Sequence, residues 1–437
     1  MGHERLGDLA LDVGLTVGGG SARRVPGDGS RLGLRAYPSG VDGAIDPAGL
    51  LGNFWKDAAT DEVIQDPSGL YATIAGTVMC SHATATSALK DRRLGASPLD
   101  DPESLLDRFF NRGLINRDPP EHTAIRRLIA RAFTKSAVDA YRPRIQATID
   151  ALLDELVPLG RMDLVQDFAA RVPLAVICEL MGLAPADREG IPQLLSDVEE
   201  AFLHAQNEDY AEYAKRGEAA TSELYSRFDR ALTARIADPG DDLLSRMAAG
   251  EAGDDPVEHE DLVANAAGLL GAGQDSTKNT LASCVFELLR HPDQMDLLRR
   301  DPSLVPGAVE EALRFHPAIY GAQRRARADL EFAQGTLSAG TKIDFFFGPA
   351  NRDPAVFPDP DRFDITRTHN PHLSFAAGPH FCVGAPLARV ELQLALTALM
   401  NRLPGLRLVE QPRWKGLIPF RGLEMLHLRW DPDAPSP

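Results

Sequence analysis

A solitary cysteine, Cys382, lies in the segment HLSFAAGPHFCVGAPLAR (372–389), among residue types that suit a thiolate metal ligand. Gly378 and Pro379 force an irregular loop ahead of it, and Leu387, Val390, Leu392 and Leu394 open a helix-like apolar run behind it. Such a loop leaves backbone N–H groups near the sulfur, and the positive end of the helix adds to them. Both are expected to lower the thiol pKa. Gly378 and Gly384 are expected to let the backbone approach a flat cofactor, and Phe375 to cover the sulfur from water. Taken alone, Cys382 reads as a buried structural cysteine, the usual fate of a single free Cys. His369, His372 and His380 with Cys382 form a weak zinc set, with no second cluster at finger-like spacing.

Three further constellations surround it in the chain. GLLGAGQDSTKNT (268–280) places Asp275, Ser276 and Thr277 in the middle of an apolar run. Gly271 and Gly273 each cost about 1 kcal/mol in a helix relative to Ala, which suggests a helix that opens or is closely approached there. Glu311 and Arg314, in GAVEEALRFHPA, stand three apart and pair on one helix face. His122 and Arg126, in DPPEHTAIRR, stand four apart on one face, and Arg324 with Arg325 lies in AQRRARADLE. Each of these three is a common surface pattern when it occurs alone.

The elements that must position these groups are mostly helical. Apolar residues recur at helical spacing between Pro119 and Asp154, where Ile125, Leu128, Ile129, Ala132 and Phe133 share a face ringed by Arg126, Arg127 and Arg131. Helices are also expected over Ile145 to Leu156, Leu174 to Met181, Tyr210 to Ile236 and Pro256 to Arg290. Short strands are expected at Leu330 to Phe332 and Lys342 to Phe347, with turns at Gly335 and Gly340. NRDPAVFPDPDRFD (351–364) carries three prolines and lies between regular elements, so it reads as a packed loop. The glycine-rich start, residues 1–35, reads as a mobile tail, and 36–437 as one large domain, mainly α with small β-sheets.

Composition narrows the function. A net charge of −17 argues against a nucleic-acid or anionic-membrane binder. No run approaches the roughly 18 apolar residues of a membrane span, and no apolar core of a leader precedes the domain. The four cysteines, at 80, 178, 284 and 382, never come closer than 98 residues, which excludes a CxxC pair and points to the cytoplasm.

The whole phrase around Cys382 has Phe, then Gly three later, His five later, Cys seven later and Gly nine later. It resembles the haem-binding signature of the cytochrome P450 family. The resemblance implies the P450 fold, a single helical domain with haem between an oxygen-activating helix and the cysteine loop. In that case Ala272, Gly273, Asp275 and Ser276 match the oxygen-activating helix, with Ser276 in place of the family's usual Thr and Thr277 as a candidate substitute hydroxyl. Glu311 and Arg314 match the family's ExxR helix, and Arg362 matches the meander arginine that completes a structural Glu-Arg-Arg network. His122, Arg126, Arg324 and His380 match the anchors of the haem carboxylates, and Phe375, Gly378, Cys382 and Gly384 the cofactor loop. Ala376 departs from the family's Gly, and its methyl is expected to hold the backbone at ordinary φ.

The function implied is a soluble bacterial-type haem-thiolate monooxygenase with haem b, using O2 as co-substrate. Cys382 would be the iron ligand, favouring O–O cleavage, and Asp275 with Ser276 would deliver protons. Electrons would come from a ferredoxin or flavodoxin and its NAD(P)H-dependent reductase, with Arg127, Arg131 and Lys135 as a basic strip to steer an acidic carrier. The substrate would be a hydrophobic small molecule held between residues 95–116, 194–216 and the helix face near Leu270, and Phe109, Phe110, Phe202 and Ile319 are the candidate contacts. A monomer is expected. Two alternatives within the family are a peroxide-driven enzyme, which would not need the Asp275–Ser276 pair, and a catalytically silent partner protein, which would be expected to lose the thiolate.

Overall fold

A computed structural model describes residues 35–36, 70–73 and 76–432, apart from 205–209, 253–255, 333–334 and 415–419. The expected tail, 1–34, lies outside the described residues. In chain order come β1 (Arg35–Ala36), β2 (Leu70–Thr73), β3 (Gly76–Met79), α1 (His82–Lys90), β4 (Leu94–Gly95), α2 (Leu105–Arg112), α3 (Glu121–Ala130), α4 (Lys135–Leu156), β5 (Arg161–Asp163) and α5 (Arg171–Leu180). They are followed by α6 (Ile191–Leu203), α7 (Tyr210–Ala237), α8 (Leu243–Ala248), α9 (His259–Arg290), α10 (Pro292–Arg300) and α11 (Val305–Phe315). The chain closes with β6 (Gly321–Ala326), β7 (Leu330–Phe332), β8 (Gly335–Leu337), β9 (Lys342–Phe346), α12 (Phe347–Ala350), α13 (Ala385–Arg402), β10 (Arg407–Leu408) and β11 (His427–Arg429).

Each helix predicted from periodicity is present, three of the four within a few residues; the one expected over Ile145 to Leu156 starts ten residues earlier, at Lys135, where Thr134 caps it. Gly340 is a turn, with φ +87°, whereas Gly335 starts β8 and pairs with Phe332. The largest sheet runs β1-β2-β3-β9-β6-β4, and its register sets Gln323 beside Asp344 and Arg324 beside Ile343. A three-stranded sheet, β10-β11-β5, joins the C-terminal segment to the end of α4.

The helix α9 spans 32 residues, about 48 Å at 1.5 Å per residue, and packs against α2, α5, α7, α11 and α13. It is buried on almost every side, so a residue exposed in its middle faces an internal space. Ala272 is such a residue. The helix runs unbroken through Gly271 and Gly273, contrary to the expected opening. A methyl added at Gly271 would meet Leu195 at 3.5 Å, and one at Gly273 would meet Ile177 at 3.7 Å, both ordinary contacts.

The segment between β9 and α13 contains little regular structure and is held by one buried ion pair. Glu311 and Arg314 are both fully buried, with Nε and Nη2 of Arg314 each 2.8 Å from a carboxylate oxygen of Glu311. The remaining guanidinium protons go to the carbonyls of Asn351 (3.0 Å), Pro360 (2.8 Å) and Arg362 (3.1 Å), so all five donors are used. Glu311 in turn accepts from the Asp364 amide (2.9 Å) and from Asn370 Nδ2 (3.1 Å). The expected role of Arg362 needs correction: its side chain is exposed, because its amide closes a turn onto Asp359, and it supplies only a carbonyl. Arg367 takes the third place, its Nε 3.3 Å from Glu311. Replacing Glu311 by Ala strands two buried guanidinium groups, and a loss of about 3–5 kcal/mol is expected. Thermal melting checks this; an unchanged midpoint would show that the network contributes no stability.

Candidate active site

Asn351 fixes the start of the cysteine loop. It is fully buried; its Oδ1 accepts from the Leu373 amide at 2.7 Å, and its Nδ2 donates to Ser374 Oγ at 2.9 Å. Ser374 Oγ then donates to the Leu313 carbonyl at 2.6 Å, which ties the loop to α11. The chain next doubles back twice through left-handed backbone. Ala376 has φ +54° and Gly378 φ +72°, and a Cβ at Gly378 would collide with the Leu89 carbonyl oxygen of α1. Gly378 is required by its φ and by the close approach of α1, and, contrary to expectation, the methyl of Ala376 does not keep the backbone at ordinary φ. An L-residue in the left-handed region costs roughly 1–2 kcal/mol, and the Ala376 amide bonded to Leu373 O at 2.7 Å holds it there.

At the far end of the loop the Cys382 amide donates to Phe375 O at 2.9 Å, and the N–H groups of Gly384 and Ala385, at the start of α13, point at the sulfur. Those two donors are the loop and helix-terminus groups expected from the sequence. Gly384 itself has ordinary helical φ, and a methyl there would come no nearer than 4.0 Å to Sγ. The net direction for the thiol is nonetheless upward: burial raises its pKa more than the two N–H groups, Arg126 and Arg389 lower it. A buried sulfur with two donors aimed at it favours the thiolate only where a cation compensates the burial. Phe375 is buried over the loop as expected, and Phe381 is 40% exposed beside it. No group of three or more His, Cys, Asp or Glu side chains converges on a metal site among the described residues, which removes the zinc set; His369 is exposed.

Four nitrogen-bearing side chains converge next to the loop. The rings of His122 (α3) and His380 lie 4.4 Å apart, Arg126 Nη2 donates to Phe381 O at 2.7 Å, and Arg324 comes in from β6. His122 Nε2 is buried without a hydrogen-bond partner. Arg324 is 4% exposed and has no ion-pair partner among the described residues; its Nη1 donates to the neighbouring Gln323 carbonyl at 2.6 Å. Arg325 is engaged elsewhere, with Asp100 at 2.7 Å, so Arg324 is the one that joins the cluster. Burial and mutual repulsion draw His380 down to about 3, and burial, partly offset by Asp118, draws Arg324 down to about 10. A cluster depressed in this way accommodates anions. Two carboxylates on a flat cofactor above Cys382 fit these residues.

Opposite lies α9. Ser276 Oγ donates to Ala272 O at 2.9 Å, so its hydroxyl sits on the same side as the exposed Ala272. Gly273 faces Ile177 of α5, away from that side, and Thr277 is buried at 6% exposure, so it does not replace the Ser276 hydroxyl. Asp275 is ion-paired with Lys278 one turn on, a largely buried lysine that the sequence reading did not single out.

Aromatic side chains from three segments form the adjoining wall. Phe109 and Phe110 lie 5.3 Å apart, Phe110 and Phe202 5.1 Å, and Phe202 and Phe420 6.2 Å, with Ile319 bridged to Phe420 through the backbone. Phe420 was not anticipated; no motif marks it, and only the tertiary fold brings it in. Leu270 is fully buried and contributes no wall.

A helical fold around an N–H-bonded cysteine, with a cationic cluster beside it and a hydroxyl-bearing helix opposite, defines a haem-thiolate class of oxidase. The comparisons agree. The family model for cytochrome P450 matches residues 191–404. Mycinamicin IV hydroxylase/epoxidase of Micromonospora griseorubida is 35% identical over 91% of this chain and 98% of its own length. Cytochrome P450 monooxygenase PikC of Streptomyces venezuelae is 36% identical, over 78% of this chain and 80% of its own. The crystal structure of P450BioI, in complex with an acyl carrier protein bearing hexadec-9Z-enoic acid, superposes with TM-score 0.81 at 28% identity, covering 88% and 99% of the two chains. The chain belongs to the cytochrome P450 family and is a monooxygenase, with a haem-thiolate cofactor and O2 as the family's common equipment. No helix among the described residues is long and apolar enough to cross a membrane.

The left-handed Ala376 yields a specific expectation. Ala376→Gly should stabilise the protein by about 1 kcal/mol through relief of the φ +54° conformation, less the extra entropy that Gly brings to the unfolded chain. Denaturant melts of the haem-loaded protein check it, and a lower midpoint would show that packing of the methyl outweighs the backbone cost.

Proposed function

We propose that this P450 hydroxylates or epoxidises a hydrophobic secondary metabolite, using haem b with Cys382 as its iron ligand. The observation that carries the reading is the pairing of Cys382, faced by two backbone N–H groups, with the depressed cationic cluster of His122, Arg126, Arg324 and His380. Haem b carries two propionates; Arg126 and Arg324 would supply their counter-charges, and the neutral imidazoles of His122 and His380 would add hydrogen bonds. When bound, the cofactor supplies O2 reduction and oxygen insertion.

The chain's own residues do the rest. Cys382 Sγ is kept from water by Phe375 and anchored by the Gly384 and Ala385 amides. Ser276 presents a hydroxyl oxygen toward the reacting space; its own proton is held by the Ala272 carbonyl, so its lone pairs are free to accept and relay a proton. Asp275 is the proton source behind it and must leave Lys278 to act. The aromatic row Phe109, Phe110, Phe202 and Phe420 excludes water and binds an apolar substrate without a charged contact. The substrate class rests on this row and on the relatives, which are named for hydroxylation and epoxidation of natural products.

Electrons come from a separate ferredoxin or flavodoxin and its NAD(P)H-dependent reductase, docking where Phe381 is exposed next to Arg127 and Arg131. Lys135 adds less than its position suggests, because Asp139 neutralises it at 2.8 Å. The enzyme acts as a monomer, and its four free cysteines suit a reducing cytoplasm.

The deciding experiment is the difference spectrum of the dithionite-reduced protein with and without carbon monoxide, for the parent and for Cys382→Ala. A Soret band far to the red in the parent, lost in the variant with the fold retained, is expected. A band at the ordinary histidine-haem position in the parent, or an unchanged band in the variant, rejects the ligand assignment. Ser276→Ala is expected to divert reducing equivalents to peroxide, lowering product formed per electron consumed by roughly tenfold or more, in line with loss of a proton-transfer group. An unaltered ratio would assign the proton to water.

A further inference from the structure

A second ion pair sits beside the cysteine loop and plays no part in the Glu311 network. Glu310, one residue before Glu311, accepts from Arg389 Nε at 2.7 Å and from Arg389 Nη2 at 2.8 Å, a bidentate pair joining α11 to α13. His372 reinforces it. Its Nδ1 accepts from the Ser374 amide at 3.3 Å, which leaves Nε2–H to donate to Glu310 at 3.1 Å. The guanidinium so fixed lies over the face of Phe375, 4.6 Å from the ring centroid. Phe375 is the residue whose carbonyl holds the Cys382 amide, and Arg389 acts on the sulfur as a nearby positive charge, whereas Glu310 is not among the groups that do. Burial would raise the Glu310 carboxyl, yet Arg389 and His372 hold it down at about 2, so the pair stays charged.

We propose that Arg389, held across the Phe375 ring by Glu310 and His372, is a positioning residue that sets the reduction potential of the Cys382-bound iron. The proposal rests on the haem-thiolate reading above. A positive charge near the sulfur favours the reduced iron, since reduction adds an electron to the site; Glu310 moderates that charge while fixing where it lies. The two partners therefore have opposite signs. Removing Arg389 leaves the carboxylate of Glu310 unopposed, and removing the charge of Glu310 leaves the guanidinium unopposed. A merely structural pair would give shifts of the same sign for both, because either loss would loosen the same loop.

The test is spectroelectrochemical titration of the haem-loaded full chain as parent, Glu310→Gln, Arg389→Met, the double variant and Arg389→Lys, each first examined by the carbon monoxide difference spectrum. Glu310→Gln is expected to raise the reduced-to-oxidised ratio at fixed potential several-fold, up to about tenfold, where tenfold corresponds to 59 mV for one electron. Arg389→Met should lower it by a similar factor, the double variant should return towards the parent, and Arg389→Lys should stay within about twofold of the parent, on the same constant. Shifts of the same sign in both single variants, or none in either with the red-shifted band intact, overturn the proposal. Absence of that band in the parent would instead reject the underlying haem-thiolate reading. If Arg389→Met does not hold haem, Glu310→Gln and Arg389→Lys decide alone: a Glu310→Gln potential at or below the parent is fatal to the proposal.

Discussion

Arg314 and Glu311 have no access to solvent, and between them they bond five residues, Asn351, Pro360, Arg362, Asp364 and Asn370, of one segment that has almost no regular structure of its own. Burying two charges costs several kcal/mol each, and their attraction offsets that cost only when every remaining proton and lone pair is satisfied. Here they are: the guanidinium spends three donors on carbonyls of the meander, and the carboxylate takes an amide and an amide side chain in return. The arrangement gives the loop between β9 and α13 a definite path without strands or helices. Its cost in stability relative to an apolar core is the condition for holding an irregular segment in one conformation, and the cysteine loop follows once that segment has been fixed.

The loop that follows is shaped by backbone constraint more than by side-chain packing. Left-handed residues at 376 and 378 turn the chain so that it passes under α1 and returns to α13, and the Phe375 carbonyl then receives the Cys382 amide. The sulfur therefore faces two amide protons at the start of a helix while its surroundings are dry. Burial alone would keep a proton on it. The same dryness makes those amides and the nearby arginines stronger partners for a thiolate once a cation is present, because a low dielectric strengthens each contact. Ligand preference is thus a property of the loop as a whole, and a buried cysteine such as Cys284, whose surroundings only desolvate it and add the charge of Glu287, lacks it.

Much of this was legible from the sequence, and the boundary of legibility has a physical origin. Helices and the cysteine phrase were readable because periodicity and fixed spacing are local properties, and the residues the resemblance pointed to include His122, Arg126, His380 and Cys382, which lie together in space. Arg362 and Arg367 could not be separated in the same way. Both are arginines in one proline-rich loop, and which one turns inward depends on a turn at Asp359 that no periodicity reports. Lys278, Asn351, Glu310 and Arg389 were missed because each has an ordinary surface composition and acquires meaning only from a partner tens of residues away, or from burial. Phe420 joins the aromatic row by the same long-range closure.

These differences separate two kinds of construction in one molecule. The chemistry-bearing parts are bound by dense polar networks whose members are nearly all satisfied: the Arg314 pair, the Asn351–Ser374 link and the Glu310 clamp. The substrate wall is built differently. Phe109, Phe110, Phe202 and Phe420 meet at tilted or edge-on angles, with centroids 5–6 Å apart, and such contacts contribute only about 0.5–1.5 kcal/mol each beyond area burial. The α2 part of it is anchored by polar groups of two helices, and on the α7 side the Leu106 amide donates to Glu218 at 3.1 Å. Asn265 on α9 accepts from the Leu114 amide at 2.8 Å and donates to the Arg112 carbonyl at 3.0 Å, while Asp261 binds both Arg112 and Arg117. Such a wall can exchange its apolar side chains at small energetic cost, whereas loss of a member of the Arg314, Asn351 or Glu310 networks leaves a buried charge or amide without a partner. The same scaffold can therefore retain its oxidative chemistry while the shape of what it oxidises is reset.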